Sequence, residues 1–226
     1  HKSFATVLTG VQQQRTIADA FEQTASGQTL VNMMTLNILV GSGGVLSHAP
    51  RRHQAAMMLI DAFLPEGVTR LAVDSIFMMP QLGVLKQAAT EVFNKDCLIH
   101  LGCCVAPSGE VKKPGPLMNY KIALPDGKVE AGTLEFGKMK LIPLGLDEKG
   151  IPLRARAELE PLRGLDLGHG KGNKIETELT GGVVGIILDG RGRPFVLPED
   201  DKIRVDKLRE WMLELKVYPE GALARQ

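Results

Sequence analysis

Leu36-Asn37-Ile38-Leu39-Val40-Gly41-Ser42-Gly43-Gly44-Val45-Leu46-Ser47-His48-Ala49-Pro50 is the stretch on which the reading of the fold turns. Leu36–Val40 is short, apolar and β-branched at its end, the make-up of a buried strand. The glycines stop that strand. Pro50 suits the first turn of a helix, where its missing N–H costs nothing. Ala55, Met58, Leu59, Ala62 and Phe63 then recur at helical spacing until Pro65-Glu66-Gly67 interrupts them. Arg70–Val73 reads as a second strand, and further helices are expected before Leu36, from about residue 28, and after Pro80, to about Phe93. Strands alternating with helices imply an α/β layer with a buried sheet. His1–Thr24 fits neither period and carries no assignment.

Beyond residue 105 the pattern changes. Ala106–Pro116 is rich in Pro, Gly and Lys and reads as a linker. Tyr120–Leu124 and Lys128–Ala131 flank Pro125-Asp126-Gly127, a hairpin signal. Met139–Leu144, Leu153–Glu160, Lys174–Leu179, Val183–Leu188 and Pro194–Leu197 read as further strands, the last entered through the turn Asp189-Gly190-Arg191-Gly192. Leu153, Ala155, Ala157 and Leu159 alternate onto one face. Strands at this spacing suggest a small antiparallel sandwich or barrel. A closing helix is expected over Asp201–Leu215, with Val205, Leu208, Met212 and Leu215 as its apolar stripe and Trp211 widening it. The expected division is therefore an α/β part, residues 1–105, and a β-rich part with a C-terminal helix, residues 106–226.

Composition narrows the function. Hydrophobic residues make up 44% of the 226 and charged residues 23%, ordinary values for a globular protein. A formal charge of +1 argues against non-specific nucleic-acid binding, which needs a basic surface to displace counterions. No apolar run reaches the roughly 18 residues that span a bilayer, so no membrane partner is expected. Cys97, Cys103 and Cys104, an odd number without regular spacing, fit a reducing, cytoplasmic compartment better than a disulfide framework.

The candidate ligand-binding residues are Gly41, Ser42, Gly43, Gly44, Ser47 and His48. Glycines let backbone N–H groups approach a ligand closely, and a hydroxyl such as that of Ser42 can hold ribose or phosphate. The alternative is a tight strand-to-helix turn that binds nothing. The stretch is neither a dinucleotide fingerprint nor a P-loop, since no Lys-Ser or Lys-Thr follows the glycines. Arg51, Arg52 and His53 read either as phosphate or partner contacts or as a solvated helix entry. Strand alternation puts Cys97 and Cys103 on one face and His100 and Cys104 on the other, which splits any metal set, so buried thiols are expected and no metal site. Gly164–Asn173 is a second glycine-rich stretch: with Lys171 and Lys174 it could clamp an anion, or it is a mobile loop. Asp96, His100 and Gly102, like Asp166, His169 and Gly170, miss the spacing of base-off cobalamin binders, so no cobalamin ligand is identified. No catalytic triad or carboxylate pair can be placed, and the catalytic residues are unassigned.

Val40–Arg51, Leu71–Pro80, Leu82–Leu85, Arg163–Gly168 and Gly181–Pro194 together resemble the MutL-type accessory proteins of cobalamin-dependent glutamate mutase. Such proteins look like members of the actin, sugar-kinase and heat-shock-chaperone ATPase superfamily. The resemblance implies an α/β fold corresponding to the second half of an actin-like ATPase, followed by a mostly antiparallel β domain and a C-terminal helix. Gly41, Ser42, Gly43 and Gly44 match the strand–Gly-Gly–helix element that holds adenosine; Pro80, Gly83 and Ala88 fit the closing helix of that superfamily. It further implies ATP or ADP as ligand, Mg²⁺ with it, the subunits of a cobalamin-dependent mutase as partners, and exchange of damaged cofactor as the role. No Asp-x-Gly strand precedes residue 41. The phosphate and magnesium site is therefore expected in an N-terminal half or a companion chain, and ATP hydrolysis is not expected of this chain alone. A non-catalytic mutase-interaction module and half of a small-molecule kinase are the alternatives.

Overall fold

The structure is a computed structural model that describes residues 32–76, 98–111, 113–219 and 221–222. The chain divides into two compact units, His1–Met33 and Met34–Gln226. The strands and α-helices described lie in the second.

Its strands are β1 (Ile38–Gly41), β2 (Gly67–Asp74), β3 (Leu98–Ala106), β4 (Pro116–Ala123), β5 (Val129–Glu135), β6 (Met139–Ile142), β7 (Arg154–Pro161), β8 (Ile175–Thr180) and β9 (Gly185–Asp189). The helices are α1 (Gly44–Ser47), α2 (Arg52–Phe63) and α3 (Asp201–Glu214). One sheet has five strands in the order β1-β2-β3-β9-β6; the other has four in the order β5-β4-β7-β8. Within the first, β1 runs parallel to β2 and β3 parallel to β9, while β2–β3 and β9–β6 are antiparallel. The second is antiparallel throughout.

The five-stranded sheet is the middle of three layers. On one face Leu71, Val73, Leu101, Cys104 and Ile187 pack under Ala55, Ala56, Leu59 and Ile60 of α2, Trp211 of α3 and Leu215 at the α3 C-cap. On the other, Cys103, Val105, Ile142, Ile186 and Leu188 meet Met118, Ile122, Ala157, Leu159 and Leu179 of the second sheet. A strand covered on both faces needs apolar residues throughout, which is why β9 reads Gly-Ile-Ile-Leu-Asp with every residue buried. A strand covered on one face alternates, and β7 does so, with Ala155, Ala157 and Leu159 inside and Arg154, Arg156 and Glu160 outside.

Several sequence expectations are redrawn by this packing. β6 and β9 lie beyond residue 105 yet join the sheet begun by β1 and β2, so the change of pattern at that residue divides sequence styles rather than sheets. The Pro/Gly stretch after Ala106 is not a free linker: Ser108 bridges to Asp166 and Gly109 to Arg193. Pro194–Leu197 is no strand; Pro194 lacks an N–H, and Arg191 and Arg193 turn inward just before it. α2 starts at Arg52, with Pro50 outside it, because the Arg51 N–H is already held by Gln54 Oε1 at 3.3 Å. Val205 in α3 is exposed, while Leu208, Trp211 and Met212, with Leu215 at the C-cap, pack on the core as expected. Ahead of β1 only a 3-10 turn, Met33–Thr35, is described, and the helix expected after Pro80 lies outside the described residues.

A bulge also changes the parity of β3. Leu71 pairs with Gly102 but Ala72 with His100, so Leu101 is the extra residue. Gly102 has φ +134°, and a Cβ there would overlap the Gly185 carbonyl oxygen, so only glycine fits. Ile99 and Leu101 face the helices. His100 therefore shares the face of Cys103, not of Cys104 as strict alternation predicts.

The layers are tied at one corner by buried charge. Asp189, at the end of β9, accepts from Arg191 Nε at 3.0 Å on Oδ1, and from Arg191 Nη2 at 2.9 Å and Arg193 Nη2 at 2.8 Å on Oδ2. Arg191 Nη1 reaches Asp61 of α2 at 2.7 Å, and Arg193 Nε the Pro65 carbonyl at 3.1 Å. The Arg191 guanidinium also lies 4.7 Å from the Phe195 ring centre and 5.1 Å from that of Trp211. Burial works to raise the Asp189 pKa, but the charges of Arg193 and Arg191 overcome it and hold the carboxyl at about 2. Its folded pKa lies below the unfolded value of about 3.9, so its stabilisation is complete above pH ~4 and is lost as pH falls from there toward 2. Asp189→Asn leaves Arg193 buried without a carboxylate and Arg191 with Asp61 alone, and is expected to cost about 3–5 kcal/mol. It should also flatten the acid side of the stability–pH curve in that window, as urea melts at stepped pH will report.

Candidate functional site

β1 and β2 are parallel, and their C-terminal ends lie side by side, with Gly41 opposite Val73. Ligands of open α/β sheets bind outside such ends. Here the end of β1 passes through Ser42 and Gly43 into α1, while β2 ends on Asp74. Asp74 is fully buried. Ser42 Oγ donates to Asp74 Oδ2 at 3.3 Å, and Ser47 Oγ donates to the Asp74 carbonyl at 2.6 Å. The two hydroxyls of the loop thus converge on one residue of the neighbouring strand. Arg52 Nη1 donates to the Ser47 carbonyl at 2.8 Å and ties the end of α1 to α2.

The four glycine-loop positions differ in what they need. At Gly41 a Cβ would press on Leu46 Cδ1 at 2.6 Å and Leu59 Cδ2 at 2.9 Å, so a larger residue there must push both leucine ends aside. Gly43 has φ 113°, ψ 154°, a conformation open to glycine alone. Gly44 has neither reason: its φ is outside the left-handed region, and among the described residues a Cβ would find only His48 Cδ2, at 3.9 Å. Ser42 is exposed except for its bond to Asp74, and His48 is exposed beside α1. The loop residues expected from the sequence therefore stand together, with Asp74 added from β2. Asp74 was legible only as the residue after a strand read as ending at Val73; pairing with β1 is what gives it a place.

Other candidates settle into structural roles. Asp166 Oδ1 accepts from the backbone of Gly168 at 2.7 Å, His169 at 3.1 Å and Gly170 at 3.0 Å. The amide cluster of the second glycine-rich stretch is thus filled by the chain's own carboxylate. Lys174 pairs with Glu158 at 2.6 Å and is not available to clamp an anion with Lys171. Cys103 and Cys104 are free thiols in opposite cores; burial pushes the Cys103 thiol up to about 12, against a Thr180 N–H that favours the thiolate, and burial raises that of Cys104 too. Cys97, Asp96, Pro80, Gly83 and Ala88 lie outside the described residues. No group of three or more His, Cys, Asp or Glu side chains among the described residues could hold a metal ion. Among the described residues no helix is long and apolar enough to cross a membrane.

Residues 1–97 match a protein-family model described as MutL protein. The match takes in β1, the glycine loop, α1, α2 and β2, and covers less than half of the chain. No curated protein matches the chain, and no solved structure does.

The different demands at Gly43 and Gly44 separate on substitution. Gly43→Ala must hold an L-residue at positive φ and is expected to lose about 1–3 kcal/mol. Gly44→Ala, in open space at a helix start, should stay within about 0.5 kcal/mol of the parent. Chemical denaturation of the two variants checks the order.

Proposed function

We propose that this chain is the C-terminal portion of an ATP-binding accessory factor that serves, and reactivates, a cobalamin-dependent mutase of the glutamate mutase kind. The family match over residues 1–97 supports the association with that mutase. The observation that carries nucleotide binding is Gly44, a glycine with no need internal to the described fold, standing beside the open end of a parallel strand pair. A Cβ at that point would occupy the space a ligand needs. In this reading Gly43 and Gly44 admit adenine nucleotide against the backbone, Ser42 offers its hydroxyl, and Asp74 orients Ser42. In this reading phosphates and Mg²⁺ belong to the other half of a bilobed ATPase. The compartment in this proposal is the cytoplasm, where buried Cys103 and Cys104 stay reduced.

A second reading has its own support. Ser42 and Ser47 both turn inward to Asp74, so the loop satisfies its hydroxyls without a ligand. That favours a non-catalytic mutase-binding module in which the glycine turn is structural. Calorimetric titration of ATP into the full-length protein separates the two. Under the nucleotide reading Gly44→Val weakens ATP about tenfold or more with an unchanged melting temperature. Ser42→Ala does less, since one neutral hydrogen bond is worth about 0.5–1.5 kcal/mol. Parent-like ATP affinity in a folded Gly44→Val protein, or no ATP binding by the parent, leaves the interaction module standing.

A further inference from the structure

The two sheets do not end together. In the second sheet β8 is the edge strand, and it packs under β3 and β9; β1 and β2 extend past it. The core between the sheets contains no residue of β1 and from β2 only Val68, at its margin. This overhang leaves an open cleft of about 300 Å³ lined by Asn37, Val68, Arg70, Cys103, Arg154, Glu178 and Thr180.

The charge in the cleft is unbalanced. Arg154 Nη1 holds Glu178 Oε1 at 2.6 Å. Arg70, projecting from the middle of β2, has no carboxylate partner among the described residues, although its backbone N–H is engaged by the Asn37 carbonyl at 3.0 Å. Two guanidinium groups thus face one carboxylate. Burial and then the Arg70 charge lower the pKa of His100, on the same face of the neighbouring strand, so at neutral pH His100 adds no second charge. Val68 packs against the inter-sheet core, in which Cys103 is buried. Asn37 and Thr180 add polar residues to the lining.

We infer that this cleft binds the carboxylate of a small organic acid, with Arg70 as the anchoring cation and Val68 as the surface for its apolar portion. One uncompensated positive charge suits a monoanion. A guanidinium fork matches the two oxygens of a carboxylate. A phosphate dianion would bring a second negative charge against Glu178. The site is separate from the glycine loop, so it stands or falls independently of nucleotide binding.

Amide chemical-shift titration of the full chain tests this, with hexanoate as the probe and inorganic phosphate as the comparison. Hexanoate should shift Asn37, Arg70 and Thr180 saturably in the millimolar range. In Arg70→Met the dissociation constant should rise about tenfold or more, the loss of a charge-assisted hydrogen bond, while Arg70→Lys retains part of the binding. Arg70 is exposed, so the variants keep the parent's dispersed spectrum. Shifts that never saturate, or that persist unchanged in Arg70→Met, overturn the site. Phosphate binding tighter than hexanoate overturns the carboxylate assignment.

Discussion

A single carboxylate, Asp189, holds the architecture in register. It ends the strand that is buried on both faces, and it receives two arginines that arrive from the next four residues. Through Arg191 it is linked to α2 at Asp61, through Arg193 to the chain at Pro65, and through the Phe195 and Trp211 rings to α3. A buried ion is costly unless every lone pair and proton finds a partner. Here both oxygens accept, and the arginine ends that Asp189 does not take are used by Asp61, Pro65 and Gly192. Two helices distant in sequence are thereby set on the same face of the sheet by groups that tolerate only one arrangement. Apolar packing alone is less directional.

The far edge of the same sheet uses the same kind of chemistry more lightly. β6 is an edge strand, a liability because its free backbone can recruit another strand. α3 covers it: the Leu141 N–H donates to Glu214 Oε1 at 3.1 Å, and Trp211 Nε1 donates to the Gly137 carbonyl at 2.8 Å. One residue, Trp211, therefore serves the core, the arginine cluster and the edge. Its helix is held by docking, since Ile203, Val205 and Leu213 remain exposed on it.

What the sequence made legible follows from the range of the interactions concerned. Period and turn chemistry are local, so β7, the β4–β5 hairpin at Pro125-Asp126-Gly127 and α3 could be read directly. Sheet membership is not local. β6 and β9 carry the same short apolar pattern as strands of an antiparallel sandwich, and only their pairing with each other and with β3 assigns them to the first sheet. The parity of β3 depended on one inserted residue beside Gly102, which no alternation rule detects. Asp189-Gly190-Arg191-Gly192-Arg193 has the composition of a solvated turn, and its arginines are nevertheless buried. The reason, a carboxylate at the end of a twice-covered strand, exists only once the layers are assembled. The glycine loop was legible as a loop; Asp74, its partner, needed the parallel neighbour.

The two glycine-rich stretches show why composition alone cannot assign a ligand. In Gly164–Asn173 the backbone amides gather on Asp166, an internal anion four residues or fewer away, so the concavity is closed by the chain itself. At Gly41–Gly44 the internal carboxylate is Asp74, but it engages a hydroxyl, and it sits behind the loop, buried at the end of the neighbouring strand. Its effect is to pull Ser42 and Ser47 toward the sheet. The outer side of the turn is then left to Gly44, where the described fold asks for no glycine. In the first stretch every glycine near the amides is accounted for by the turn around Asp166. In the second, one glycine is left over, and it lies where parallel strands end and ligands of α/β sheets are held.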